Sequence, residues 1–164
     1  MRKFAILLVT AVALTLGTAS AQSFSAQYDT TQYAGGAIGL PITAYYGVSD
    51  LLFENSDVRF RVGFMPFWLS SVTVGADILF PLATLDDAGD FNLYAGGGPS
   101  LGFGLGIFGG FYGDLTGVVG VDYRINDQLS VFGEGGVGVA FRSAAGVGGV
   151  GVAPRGALGV LFHF

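Results

Sequence analysis

Residues 58–64 read "VRFRVGF". Val58, Phe60, Val62 and Phe64 fall on one parity, and Arg59, Arg61 and Gly63 fall on the other. In an extended chain successive side chains point to opposite faces, so this stretch predicts a strand with one apolar face and one face bearing two guanidinium groups. A helix would mix the two sets, because its period is near 3.6.

The same beat continues in both directions. In "SVTVGADILF" (71–80), Val72, Val74, Ala76, Ile78 and Phe80 alternate with Ser71, Thr73, Gly75, Asp77 and Leu79. In 111–125, Phe111, Leu115, Val119, Val121, Tyr123 and Ile125 oppose Tyr112, Asp114, Thr116, Asp122 and Arg124. In 129–142, Leu129, Val131, Val137, Val139 and Phe141 oppose Ser130, Glu134, Ala140 and Arg142. The last segment sets Val150, Val152, Leu158, Val160, Phe162 and Phe164 against Arg155, Leu161 and His163. Arg59, Arg61, Arg124, Arg142 and Arg155 all lie on the polar parity, as do Asp77, Asp114, Asp122 and Glu134. A charge facing lipid near the midplane of a membrane barrel costs about 2–4 kcal/mol, so charges there must face the lumen. A soluble sheet also alternates, but lysines are expected on its wet face. No lysine follows Lys3.

Composition narrows the choice. Mean hydropathy is +0.61. Yet after the N-terminus no apolar run approaches the ~18 residues of a spanning helix. Gly and charges break every stretch. High hydrophobicity without a helical span leaves a soluble β fold with a large core, or a membrane barrel in which every backbone group pairs with a neighbouring strand. The N-terminal "MRKFAILLVTAVALTLGTASAQ" has a basic start, an apolar run from Phe4 to Leu16 and the small-x-small pattern Ala19-Ser20-Ala21. This predicts a cleaved signal peptide over 1–21 and a single barrel domain over 22–164. There is no cysteine and the formal net charge is −5. Stability must then come from packing or a membrane rather than disulfides, and a nucleic-acid footprint is excluded.

Strands are expected near 149–164, 129–142, 112–125, 91–104, 70–82, 57–66 and 34–47, with a fainter one at 23–30, where Phe24, Ala26 and Tyr28 alternate. Pro41 is awkward inside a central strand and marks a bulge or bend. The links 49–57, 84–90 and 125–127 are expected at one end of the barrel. Those near 29–33, 65–69, 105–110 and 143–148 are expected at the other. Tyr45, Tyr46, Phe67, Trp68, Phe80, Phe103, Phe108 and Phe111 lie towards strand ends, as interfacial girdles would.

Two patterns are decoys. Gly133–Gly138 and Gly146–Gly151 match G-x-G-x-x-G, but strand periodicity continues past both, so the helix of a dinucleotide fold is missing. Glycine in a narrow barrel instead makes room beside Tyr94, Tyr112, Phe132 or an inward arginine. The histidine, His163, sits at the C-terminal end of the last strand, out of reach of any site at the opposite rim. No His/Cys metal cluster is present. Asp86, Asp87 and Asp90 lack EF-hand spacing. No cofactor is expected.

The chain's last residues carry a resemblance. Phe164, preceded at alternate positions by Phe162, Val160 and Leu158, resembles the C-terminal strand of the small eight-stranded bacterial outer-membrane β-barrel family. The likeness extends over nearly all of the mature length. It implies an all-β, transmembrane antiparallel up-and-down barrel and residence in the outer membrane, in contact with its lipid. It also implies that Leu158, Val160, Phe162 and Phe164 are recognised by the barrel-assembly machinery.

The departures from that family are the faint first strand, the short loops at the outer end and the high glycine content. Charges inside so narrow a barrel must pair. The expected lumen set is Arg59, Arg61, Asp77, Asp114, Asp122, Arg124, Glu134, Arg142 and Arg155. If Ile125 opposes Leu129, then Tyr112 faces Arg142 and Asp114 is a diagonal neighbour of Arg142, within reach of its long side chain. Glu134, near mid-height, is placed to meet Arg155 or another arginine. The expected role is non-enzymatic, envelope-structural or that of a narrow pore. A small-solute porin and a soluble secreted barrel binding an apolar ligand are the alternatives.

Overall fold

The computed structural model describes residues 31–65, 71–104, 109–144 and 147–164. Eight antiparallel strands form a closed barrel in chain order: β1 Gln32–Leu40, β2 Ile42–Ser49, β3 Asp57–Met65, β4 Ser71–Thr84, β5 Phe91–Gly104, β6 Gly110–Asn126, β7 Leu129–Ala144 and β8 Val147–His163. Closure is made by β1 on β8, from Tyr33↔His163 to Leu40↔Gly156.

The register fixes the geometry. Following partners from Gly36 through Ala44, Val62, Val74, Leu101, Gly113, Phe141 and Val150, and continuing the β8–β1 register, leads to position 46. That is ten residues (46 − 36) from the start, a shear of 10. With ~3.3 Å per residue and ~4.8 Å between strands, the strands tilt by about 41°. The lumen of such a barrel is just wide enough to be filled by side chains.

The first hairpin differs from the sequence expectation. The stretch 34–47 is two strands, β1 and β2, joined at Pro41. Proline has no N–H for a ladder and ends β1 there. The expected strand at 23–30 lies outside the described residues, and the eight strands close without it. Tyr33, expected in an outer loop, instead begins β1 at the end that carries the C-terminus, where Phe164 N donates to Gln32 O. The links 50–56, 85–90 and 127–128 share that end, as expected from the sequence. The Pro41 turn lies at the opposite end, where β3, β5 and β7 finish and β4, β6 and β8 begin.

The distribution of side chains is inverted relative to a water-soluble barrel. The apolar parity faces outward: Leu115 is 65 % exposed and Val150 78 %. The charged parity faces inward: Arg59 is 1 % exposed and Asp77 0 %. Outward aromatics gather at two levels. Phe91 and Tyr123 pack at 5.8 Å, and Phe162 and Phe164 at 6.3 Å, at the end with the C-terminus. Phe103, Phe111 and Phe141 pack in sequence at 5.4 and 5.9 Å at the other. Along β6 the levels are marked by Tyr123 and Phe111, twelve residues apart (123 − 111), or about 30 Å along the barrel axis at this rise and tilt.

Candidate functional site

The lumen is the candidate site. Alternation on β3, β4, β7 and β8 turns Arg59, Arg61, Asp77, Glu134 and Arg155 into one shared interior. Arg59 Nη2 lies 2.7 Å from Glu134 Oε2 and 3.3 Å from Asp77 Oδ2. Arg155 grips Asp77 with both terminal nitrogens, at 3.0 and 2.8 Å, and reaches Glu134 Oε1 at 2.8 Å. Tyr94 donates to Glu134 Oε2 at 3.1 Å, and Tyr45 lies 3.5 Å from Oε1. The Arg59 guanidinium also sits over the Tyr45 ring, 4.6 Å from its centroid. The cluster thereby joins six strands, from β2 to β5 plus β7 and β8.

Removing such ions from water costs several kcal/mol each, about what well-aligned partners return. The bidentate fork of Arg155 is the geometry that arginine favours with a carboxylate. Arg61 is the loosest member. Its Nη2 is 3.4 Å from Asp77 and 3.9 Å from Asp114, and its Nε and Nη2 make no hydrogen bond among the described residues. Asp114 accepts hydrogen bonds from Ser100 and Thr116.

Glycines shape the cavity that holds this cluster. A Cβ at Gly120 would strike the Tyr94 ring, and one at Gly102 the Tyr112 ring. Phe132 and Arg61 lie close over Gly159 and Gly75 in the same way. Large side chains from one strand therefore lie flat over bare backbone on a neighbour.

A second polar cluster occupies the end near the C-terminus. Ser130 Oγ donates to Asp122 Oδ1 at 2.8 Å and lies 3.1 Å from His163 Nε2. Asp57 takes side-chain hydrogen bonds from Ser49 and Tyr33. A cavity with room for about one water lies among Tyr33, Asp57, Arg59, Tyr94, Asp122 and His163. Ser130, His163 and Asp122 are the residue types of a hydrolase triad, but the order is wrong. The base must sit between nucleophile and acid. Here the serine is in the middle and donates to the carboxylate, so the imidazole does not stand between nucleophile and acid. All three side chains are nearly sealed from solvent.

The expected lumen charges divide into three groups. Arg59, Arg61, Asp77, Glu134 and Arg155 share one network, with Asp114 at its edge. Asp122 joins the Ser130–His163 cluster, and Arg124 pairs with Asp90 at 2.8 Å at the barrel end. Arg142 departs from the expectation. It lies opposite Tyr112 as the hairpin arithmetic required, but near the end of its strand, and it is exposed. Tyr45, expected in a girdle, points into the lumen. Phe67, Trp68 and Phe108 lie outside the described residues. Asp57, expected at the boundary between the 49–57 link and the 57–66 strand, is a buried lumen carboxylate at the start of β3. Its parity with Arg59 and Arg61 was the signal that pointed inward.

Fold and lumen define a small closed eight-stranded antiparallel barrel with a buried salt-bridge network inside. No protein-family model matches the sequence, and no curated protein matches it. Among solved structures, the chain resembles the N-terminal β-barrel domain of Pseudomonas aeruginosa OprF, at a TM-score of 0.51 and 13% identity. The match covers 81% of this chain and 95% of that one. At this identity the likeness is one of fold. Among the described residues no group of His, Cys, Asp or Glu is placed to hold a metal ion.

Proposed function

We propose that this protein is a non-enzymatic outer-membrane barrel with an envelope-structural or narrow-pore role, its lumen closed by paired charges. The observation that carries the reading is the inverted distribution: apolar side chains outward over the whole wall, ion pairs inward. In water that surface would be an exposed apolar patch far beyond what monomers tolerate. Against hydrocarbon it is the favourable arrangement, with girdles flanking a band of the height a bilayer requires. The interior also weighs against a soluble carrier of apolar ligands, since its centre is occupied by charges.

Export through cleavage before Gln22 and assembly through Leu158, Val160, Phe162 and Phe164 belong to the same proposal. Leu158, Val160 and Phe162 are exposed on the outer face of β8 and Phe164 is exposed just beyond its end, in line with a surface read by assembly machinery. Planar-bilayer recording tests the plugged lumen. The intact barrel is expected to show no steady current, and Glu134→Gln brief openings. A steady, large conductance from the native protein would favour the small-solute porin.

A further inference from the structure

The link between β2 and β3 is built to display apolar side chains. Leu51, Leu52 and Phe53 are 54, 57 and 56 % exposed in succession. The loop that carries them is fixed. Asp50 N donates to Ser56 O at 2.7 Å, and Asn55 N donates to the Asp50 carboxylate at 2.7 Å. Asp50 and Asn55 both adopt left-handed backbone, with φ of 56° and 59°, which Asp and Asn tolerate better than most residues. The buried Ser56 hydroxyl donates to Phe53 O at 2.8 Å. Such a clip holds the three side chains out instead of letting them collapse.

The loop also touches the wall. β4 continues from Phe80 to Thr84 past its last pairing with β3 at Asp57↔Leu79. The Phe53 ring lies 6.5 Å from that of Phe80, an outward residue of this overhang. Val58, on the outward parity beside the loop, is buried, whereas Phe60, Val62 and Phe64 of the same parity are exposed. The apolar tip is therefore continuous with the outer surface of the barrel and sits at the level where aromatics gather.

We propose that Leu51, Leu52 and Phe53 form a membrane-interface anchor, lying among phospholipid chains beneath the headgroups on the side that carries the C-terminus. The inference rests on the membrane reading above. Its chemistry is that of interfacial apolar side chains held beside polar ones, here Asp50 and Glu54. The anchor would fix the depth of the short β1–β3 side of the wall, whose strands have 9, 8 and 9 residues against 14 to 17 elsewhere.

Single tryptophans test this in a Trp68→Phe background, in phospholipid vesicles brominated at shallow or deep chain positions. Phe53→Trp is expected to show blue-shifted emission and loss of intensity with the shallow bromines. Val119→Trp, in the middle of the belt, should be quenched by the deep ones. Asp87→Trp, in the acidic turn at the same end, should be quenched by neither. Quenching of Val119→Trp without quenching of Phe53→Trp overturns the anchor and leaves the membrane barrel standing. Quenching of neither overturns both. An unquenched Phe53→Trp variant together with a disulfide-linked dimer of Leu52→Cys, in a chain otherwise free of cysteine, assigns the loop to a second copy and also overturns the anchor.

Discussion

Glu134 accepts close hydrogen bonds from Arg59, Arg155 and Tyr94, which reach it from β3, β8 and β5. Replacing its charge leaves Arg59 and Arg155 to share Asp77 with Arg61, deep in the barrel interior. Glu134→Gln keeps the shape and removes the charge, and breaking a buried pair in this way costs about 3–5 kcal/mol. Urea unfolding of the barrel refolded in vesicles should show that loss. An unchanged midpoint would mean that Glu134 is not the keystone of the network. Gly120 bears on the same carboxylate from a neighbouring strand. Gly120→Val would drive a methyl group into the Tyr94 ring and lift its hydroxyl from Glu134. Overpacking of this kind costs about 1–3 kcal/mol, measurable in the same assay, whereas Gly135→Val on the open outer face should cost far less. The inward direction of these residues was legible in the sequence, because parity alone sorts lumen from wall. Their partners were less so. Which arginine meets which acid depends on shear, and shear depends on every hairpin register at once.

At the scale of the strand, alternation located β3 to β8 to within a few residues but fused β1 and β2. The reason is geometric. A link of one residue joins strands whose paired residues, such as Gly36↔Ala44, share the same parity. Ile38, Ile42 and Tyr46 therefore all face outward on both sides of the turn, and a period-2 test runs through Pro41 without a break. Only the proline itself signalled the reversal. The two-residue turn after β6 was legible to its register: Tyr112 does face Arg142, although a bulge between Arg124 and Asn126 shifts the pairing next to the turn. β8 is unequal along its length. From Gly156 to Phe162 it pairs with both β7 and β1, but from Val147 to Arg155 it pairs with β7 alone among the described residues. Amide exchange should follow that division, with Val160 and Leu161 protected far longer than Gly149 and Gly151. Uniform protection along β8 would show that the upper edge is covered.

At the scale of the molecule, the decisive quantity is which parity faces out. The sequence separated the two faces and its missing lysines argued for lipid, while the closed barrel places the charged face inside. Val119 lies on the outer face of β6 near the middle of the span between Phe111 and Tyr123. Val119→Arg should cost about 2–4 kcal/mol in vesicles, whereas on a water-exposed sheet the same change would be nearly neutral. Whether the barrel is closed and embedded in lipid is tested most directly by the gel mobility of the protein from the membrane fraction, with and without boiling in SDS. A closed lipid-embedded barrel resists SDS until heated. The protein is expected to be recovered with the outer membrane and to shift in mobility on boiling. The same mobility before and after heating, with the protein recovered in the soluble fraction, would contradict it.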